Sequence, residues 1–321
     1  MRVAAIDIGS NSIRLLVAEV PSGSAWGGPV ESVARAGEVC RLGRGLHDSG
    51  LIAEDLIERA AEITQEFARR ARSLGAGHVV AAATAALRSA TNGARVAERL
   101  GERSGLSVRI LSGDDEARLV YRAVVLGLGQ RARESQCVVF DLGGGSTEVV
   151  SGVGLQPGRW TSLGFGAVSL TERLLPGDPP DDETIATARL RIRDELMHGC
   201  ALLPERATLL AGVGGTVTVF ASIDRGLAEY DPTALEGWWI ERGTVLSMAD
   251  RVARMSHRER RALPIMGEGR ADIIGAGALV VEALVQRFEA TGLVCSTQGL
   301  RYGLARLAAE EWQQGKAPNR R

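Results

Sequence analysis

Two stretches of this chain share one pattern: Ala5-Ile6-Asp7-Ile8-Gly9-Ser10-Asn11-Ser12, running on into Ile13-Arg14-Leu15-Leu16-Val17, and Val139-Phe140-Asp141-Leu142-Gly143-Gly144-Gly145-Ser146-Thr147, running on into Glu148-Val149-Val150. Aligned on the aspartates, Asp7 matches Asp141, Gly9 matches Gly143 and Ser12 matches Ser146. Each copy reads as an apolar strand ending at an Asp, a turn of small residues, and a second strand. Such a turn leaves backbone N–H groups uncovered and lets an anion come close. Two copies in one chain predict two related domains facing each other across a phosphate.

Working outward, strands and helices alternate through both halves, which argues for α/β layers. The early hairpins make each sheet mixed rather than purely parallel. Between Ala53 and Leu74 the residues Leu56, Ile57, Ala60, Ile63, Phe67 and Ala71 recur at helical spacing. Ser112-Gly113-Asp114-Asp115-Glu116 opens a helix to about Leu128, with Ser112 or Asp114 as its cap. Gly212-Val213-Gly214-Gly215-Thr216 lies between a strand and a helix and offers a third anion cradle. Gly275-Ala276-Gly277 falls inside a helix and reads as close packing.

The 321 residues suit two cores, and 45% hydrophobic with 24% charged residues is ordinary globular composition. A net charge of -1 gives no support for a nucleic-acid surface. A polyanionic substrate would need a local basic cleft. Cys40, Cys137, Cys200 and Cys295 are too far apart in sequence for a zinc-type cluster. Cys40, Cys137 and Cys295 read as buried thiols. No signal peptide precedes the first strand, and no apolar run reaches the ~18 residues of a membrane span, so a cytoplasmic protein is expected. Residues 313–321 read as a disordered tail.

Asp7 and Asp141 end their strands beside the turns, where they could hold a divalent cation or cap their own turns. Strand alternation puts Glu148 on the face of Ser146, as a metal or water ligand or as a solvent-facing residue. Glu116 is dipole-favourable surface charge at a helix start or, in a cleft beside Asp114 and Asp115, a carboxylate of raised pKa suited to act as a general base. Arg88 could grip a phosphate with its two-pronged guanidinium or form a surface salt bridge. Arg14, Arg41, Arg44 and Arg301 are weaker candidates of that kind. His47, His78, His198 and His257 read as structural or surface residues, and Trp238-Trp239 as packing.

Asp7–Ser12, Thr84–Arg88, Ser112–Leu119, Asp141–Glu148, Gly214–Thr216 and Gly299-Leu300-Arg301, in this order, resemble the exopolyphosphatase / guanosine pentaphosphate phosphohydrolase (Ppx/GppA) family, from Arg2 to about Ala309. The resemblance implies two ribonuclease-H-like domains of the actin, sugar-kinase and heat-shock-chaperone superfamily with an interdomain active-site cleft. It implies domains at 1–120 and 121–298, with a last helix, 299–312, returning to the first. The implied reaction is Mg²⁺-dependent hydrolysis of the terminal phosphoanhydride of inorganic polyphosphate, releasing orthophosphate. Glu116 matches the residue that activates water. Asp141 and Glu148 match metal- or water-positioning carboxylates, with Asp7 as their partner in the first domain. Gly143, Gly144, Gly145 and Ser146 match the phosphate cradle. Asn11, Ser12, Arg88, Gly215 and Thr216 match further phosphate contacts.

Guanosine pentaphosphate 5′-hydrolysis by the same machinery is the alternative. A kinase-like ATP-binding module and a silent polyphosphate or nucleotide sensor stand outside that class. No nucleic-acid or membrane partner is expected, and a homodimer stays open. Long members carry a further helical C-terminal region, so long-chain processivity is not expected here. Tyr302 stands where the family usually has an acidic residue, a change expected to alter a domain-interface ion pair.

Overall fold

The computed structural model describes residues 1–23, 25–263, 265–266 and 269–315. The chain divides into two compact units, Met1–Leu119 with the stretch from Leu300 onward, and Val120–Gly299.

The first unit opens with β1 (Arg2–Ile8), β2 (Ser12–Glu19) and β3 (Glu31–Val39), then α1 (Leu46–Ser49) and α2 (Glu54–Ser73). β4 (His78–Ala83), α3 (Ala85–Ser89), α4 (Gly93–Ser104), β5 (Val108–Ile110) and α5 (Gly113–Leu128) follow. Its sheet runs β3-β2-β1-β4-β5, antiparallel among the first three strands, with β4 parallel to β1 and β5 parallel to β4. β1 is central, so Val3, Ala4, Ala5, Ile6 and Ile8 are all buried and its sequence is a continuous apolar run. The helical stripe read between Ala53 and Leu74 lies buried in α2, with each of its six apolar residues in the core.

The chain passes into the second unit within α5, between Leu119 and Val120. There follow α6 (Gln130–Arg133), β6 (Gln136–Leu142), β7 (Thr147–Val153), β8 (Gln156–Leu163), α7 (Ala167–Leu174), α8 (Asp182–Gly199), β9 (Leu209–Val213) and α9 (Gly215–Arg225). α10 (Pro232–Leu235), β10 (Trp239–Glu241), α11 (Arg242–Arg254), α12 (His257–Arg261), α13 (Ile274–Arg287) and β11 (Gly292–Cys295) complete it. Read from β8, its sheet runs β8-β7-β6-β9-β11, the order of the first sheet, with β10 added antiparallel at the far edge. The two related domains with mixed sheets expected from the duplicated pattern and the early hairpins are therefore present.

Gly275 and Gly277 lie within α13 and do mark close packing: a Cβ on Gly277 would sit 2.2 Å from Thr216 Oγ1, and one on Gly275 3.3 Å from Arg260 Nη1. Trp238 packs under Arg225, 4.5 Å from its ring, and Trp239 lies over Gly292. All four cysteines are buried, Cys200 included. Burial pushes the thiols of Cys40, Cys137 and Cys200 up to about 11, and that of Cys295 higher still.

α14 (Leu300–Gln313) packs on β1, β2 and β4. Buried Arg306 donates from Nη1 to Ala25 O at 2.7 Å, tying the helix to the connection after β2. Tyr302 is buried too, and its hydroxyl accepts from Arg35 of β3. Arg35 and Tyr302 both belong to the first unit. The tail expected from 313 onward falls mostly outside the described residues, Gln313 closing α14 and Gln314–Gly315 forming a turn.

Glu311 in α14 meets His78 Nε2 at 3.1 Å and Arg109 Nη2 at 3.0 Å. Burial alone would raise its carboxyl, but the bonds from Arg109 and His78 outweigh that and hold it below the usual range. A depressed carboxylate adds stability above its unfolded pKa, and that stability is lost as pH falls through the folded value. Glu311→Gln is accordingly expected to cost about 1–3 kcal/mol at neutral pH. Urea unfolding at stepped pH should show the gap to the parent protein closing only as pH falls through the depressed Glu311 value, below the usual carboxylate range.

Candidate active site

The two turns are the same object. Gly9 N–H donates to Ser12 O and Gly143 N–H donates to Ser146 O, both at 3.1 Å. The first glycine amide therefore closes its own turn and is not open to an anion, a correction to the sequence reading. Two other amides are better placed. Gly143 O accepts from Ala167 N at 2.9 Å, and Gly144 O accepts from Val168 N at 2.8 Å, both at the start of α7. In a trans peptide the C=O and the following N–H point opposite ways. The N–H groups of Gly144 and Gly145 therefore both point away from α7, a pair of parallel donors of the kind that holds an anion. The first turn is braced likewise: Ser10 O accepts from Gly43 N at 2.8 Å, and Asn11 O from Cys40 N and Arg41 N at 2.9 Å.

The strand register fixes what stands beside each turn. In the second unit Asp141 lies opposite Glu148 on β7, and Glu148 opposite Ser162 on β8. Directly paired residues share a face, so the two carboxylates are neighbours. Glu148 is only 2% exposed, which removes the solvent-facing reading, and Ser162 Oγ donates to its Oε1 at 2.8 Å. In the first unit the same positions hold Asp7 and Arg14. Arg14 Nε donates to Ser12 Oγ at 3.2 Å. Burial pushes the Asp7 carboxyl above the usual range, against the opposing pull of Arg14 and Arg301. One copy thus sets an acid beside a base, and the other sets two acids side by side.

Like charges directly opposite are unfavourable on a sheet unless something compensates them. Two carboxylates on one face are hard oxygen donors, and Mg²⁺ is usually held by one or two carboxylates, with waters and substrate phosphate oxygens completing its shell. The pair Asp141 and Glu148 fits such an ion. Among the described residues no group of three or more His, Cys, Asp or Glu gathers as a self-sufficient metal site.

Glu116 sits in the first turn of α5, whose cap is Ser112: its Oγ accepts from Asp115 N at 3.1 Å. The acidic neighbours do not cluster with it. Asp115 Oδ2 accepts from Ser112 Oγ at 2.7 Å, and Asp114 pairs with Arg118 at 3.1 Å. Glu116, 5% exposed, instead accepts from Arg88 Nη1 at 2.8 Å. The same nitrogen donates to Leu111 O at 3.0 Å. Arg88 is thus neither a surface salt bridge nor held only for an anion: it ties α3 to the start of α5 and aligns Glu116 with a charge-assisted bond.

The third cradle opens α9. Gly214 takes φ 116, and a Cβ there would lie 2.6 Å from Leu142 O, so only glycine serves. The orphan amides of the helix start follow at Gly215 and Thr216. Arg270 covers Gly215, its Nε 3.5 Å from where a Cβ would be. Sequence reading missed Arg270, which lies in an irregular segment before α13; the only signal was its position before the small-residue helix. It missed Ser162 as well, because only the ladder shows that it faces Glu148. Asn11, Ser12, Gly143, Gly144, Gly145 and Ser146 all lie in the two turns as read, and Arg44 pairs with Asp55 at 3.6 Å.

The Ppx/GppA phosphatase family matches residues 16–308 of this chain. Exopolyphosphatase 2 of Mycobacterium tuberculosis (strain CDC 1551 / Oshkosh) is 36% identical over 291 residues, which cover 89% of this chain and 90% of that protein. Exopolyphosphatase 1 of Mycobacterium bovis is 31% identical over 310 residues, covering 95% and 87% of the two chains. Among solved structures, the Aquifex aeolicus Ppx/GppA family member superposes with a TM-score of 0.80 at 31% identity, covering 98% of each chain.

Proposed function

The chain belongs to the Ppx/GppA phosphatase family, and on that premise we propose that it is an exopolyphosphatase, hydrolysing the terminal phosphoanhydride of inorganic polyphosphate. The observation that carries this reading is the pairing of an anion-binding turn with two opposed carboxylates, Asp141 and Glu148, on the strands that flank it.

The reaction asks for little covalent chemistry from the protein, so positioning and charge stabilisation supply most of the rate. The amides of Gly144 and Gly145 and the start of α9 with Arg270 bind phosphate oxygens. Asp141 and Glu148 would hold Mg²⁺, which would supply positive charge to neutralise those oxygens. Glu116, aligned by Arg88, takes a proton from water as its oxygen bonds to the terminal phosphorus. The bridging P–O bond breaks, orthophosphate leaves, and the polymer departs one phosphate shorter. No protein nucleophile takes part.

The test is orthophosphate release with Mg²⁺ from short polyphosphate, long polyphosphate and guanosine pentaphosphate. Release from polyphosphate supports the reading, and release from the nucleotide alone overturns its substrate. Gly166 supplies a structural check on the turn. A Cβ at Gly166 would lie 2.5 Å from Gly143 O and 2.6 Å from Gly144 C, both backbone atoms of the cradle. Gly166→Ala should push the turn outward, costing about 1–3 kcal/mol of stability and about 10²-fold in kcat. Thermal unfolding and initial rates read the two effects separately.

A further inference from the structure

One carboxylate outside this machinery holds the chain beside Asp141. Glu236 follows α10, which is capped by Asp231 accepting from Thr233 N at 2.9 Å. Its Oε1 accepts from Ser296 Oγ at 2.8 Å. Its Oε2 accepts from Thr297 N at 2.6 Å and from Thr297 Oγ1 at 2.7 Å. The backbone on either side is laced in: Gly237 N donates to Cys295 O at 2.9 Å, and Ser296 N to Gly212 O at 2.9 Å. All three of these bonds are donated to Glu236. An ionised carboxylate accepts all three at once, whereas a neutral amide of the same shape brings one acceptor oxygen.

What this segment delivers is Gly299. A Cβ there would lie at ordinary contact distance, 3.8 Å from Asp141 Oδ2 and 3.6 Å from Val213 Cβ, so Gly299 passes beside the Asp141 carboxylate. The same latch bears on α5. A Cβ on Gly127 would lie 2.9 Å from Glu236 Oε1 and 2.7 Å from Gln298 Cδ. The close approach of Glu236 and Gln298 leaves no room for a side chain at Gly127, in the last turn of α5.

We propose that Glu236 is a positioning residue for the cation site: through Ser296 and Thr297 it fixes Gly299 against Asp141 and so sets the geometry in which Asp141 and Glu148 bind a divalent ion. This rests on the reading of Asp141 and Glu148 as that site. Partners one shell out from a metal's ligands orient them, and their loss commonly weakens binding about 10–100-fold.

The experiment titrates Mn²⁺ into the full-length protein, read by electron paramagnetic resonance of the free ion, without substrate. Glu236→Gln is expected to weaken Mn²⁺ binding about 10-fold while the far-ultraviolet dichroism is unchanged. Thr297→Val should weaken it less, and the double variant no more than Glu236→Gln alone, since both cut one linkage. Should Glu236→Gln fail to fold, Ser296→Ala/Thr297→Val keeps the charge, removes two donors and is expected to show the same weakening. Unchanged Mn²⁺ affinity in a folded variant, with the parent binding normally, overturns the role of Glu236 alone. A parent protein that binds no Mn²⁺ overturns the cation site and this inference with it.

Discussion

Glu116→Gln is expected to lower kcat for orthophosphate release by about 10²–10⁴-fold, the usual worth of a general base. The amide keeps the shape of the carboxylate and can still accept from Arg88 through its oxygen, so α5 and α3 remain joined. The change should leave KM for polyphosphate and the thermal midpoint close to those of the parent. A loss confined to kcat is the mark of an interaction made only in the transition state. Rates measured across a range of polyphosphate concentrations check it. A variant with kcat within twofold of the parent would remove Glu116 from the chemistry and return the acidic start of α5 to a dipole-favoured helix end.

Asp141→Asn carries the second large effect and has an opposite signature in stability. Its carboxylate stands directly across from Glu148, and like charges directly opposite each other on a sheet are unfavourable. Removing one relieves that repulsion, and the thermal midpoint of the ion-free variant should not fall. Its activity should fall about 10³-fold, corresponding to several kcal/mol of lost charge stabilisation. The shift in midpoint that Mg²⁺ gives the parent should shrink in parallel, because a ligand stabilises only the state that binds it. Full Mg²⁺-dependent activity in this variant would move the cation elsewhere.

The duplicated strand–turn–strand pattern was legible because it is local: apolar strands, an Asp, then small residues spell the same backbone twice. The long helix α2 was legible from its periodicity for the same reason. Glu116 and Arg88 were each visible in the sequence, but their bond was not, because it joins residues from separate elements that only the folded sheet brings together. The burial of Glu148 was undecided at the level of alternation, which says which residues share a face but not which face is covered. Glu236 gave no signal, since α10 and β10 are too short to show a period and its partners lie beyond α13. Tyr302 was visible as a departure, yet its contact with Arg35 depends on how α14 returns to β3's sheet.

The four thiols have a use that has nothing to do with catalysis. Each is buried and raised well above neutral pH, so the folded chain presents almost no thiolate to an alkylating or oxidising reagent. Reaction must wait for an opening event, and the cysteines are unevenly shared: Cys40 belongs to one unit, while Cys137, Cys200 and Cys295 belong to the other. Mass added per molecule therefore counts which half of the protein has come apart, making the native sequence a tag-free recorder of partial unfolding.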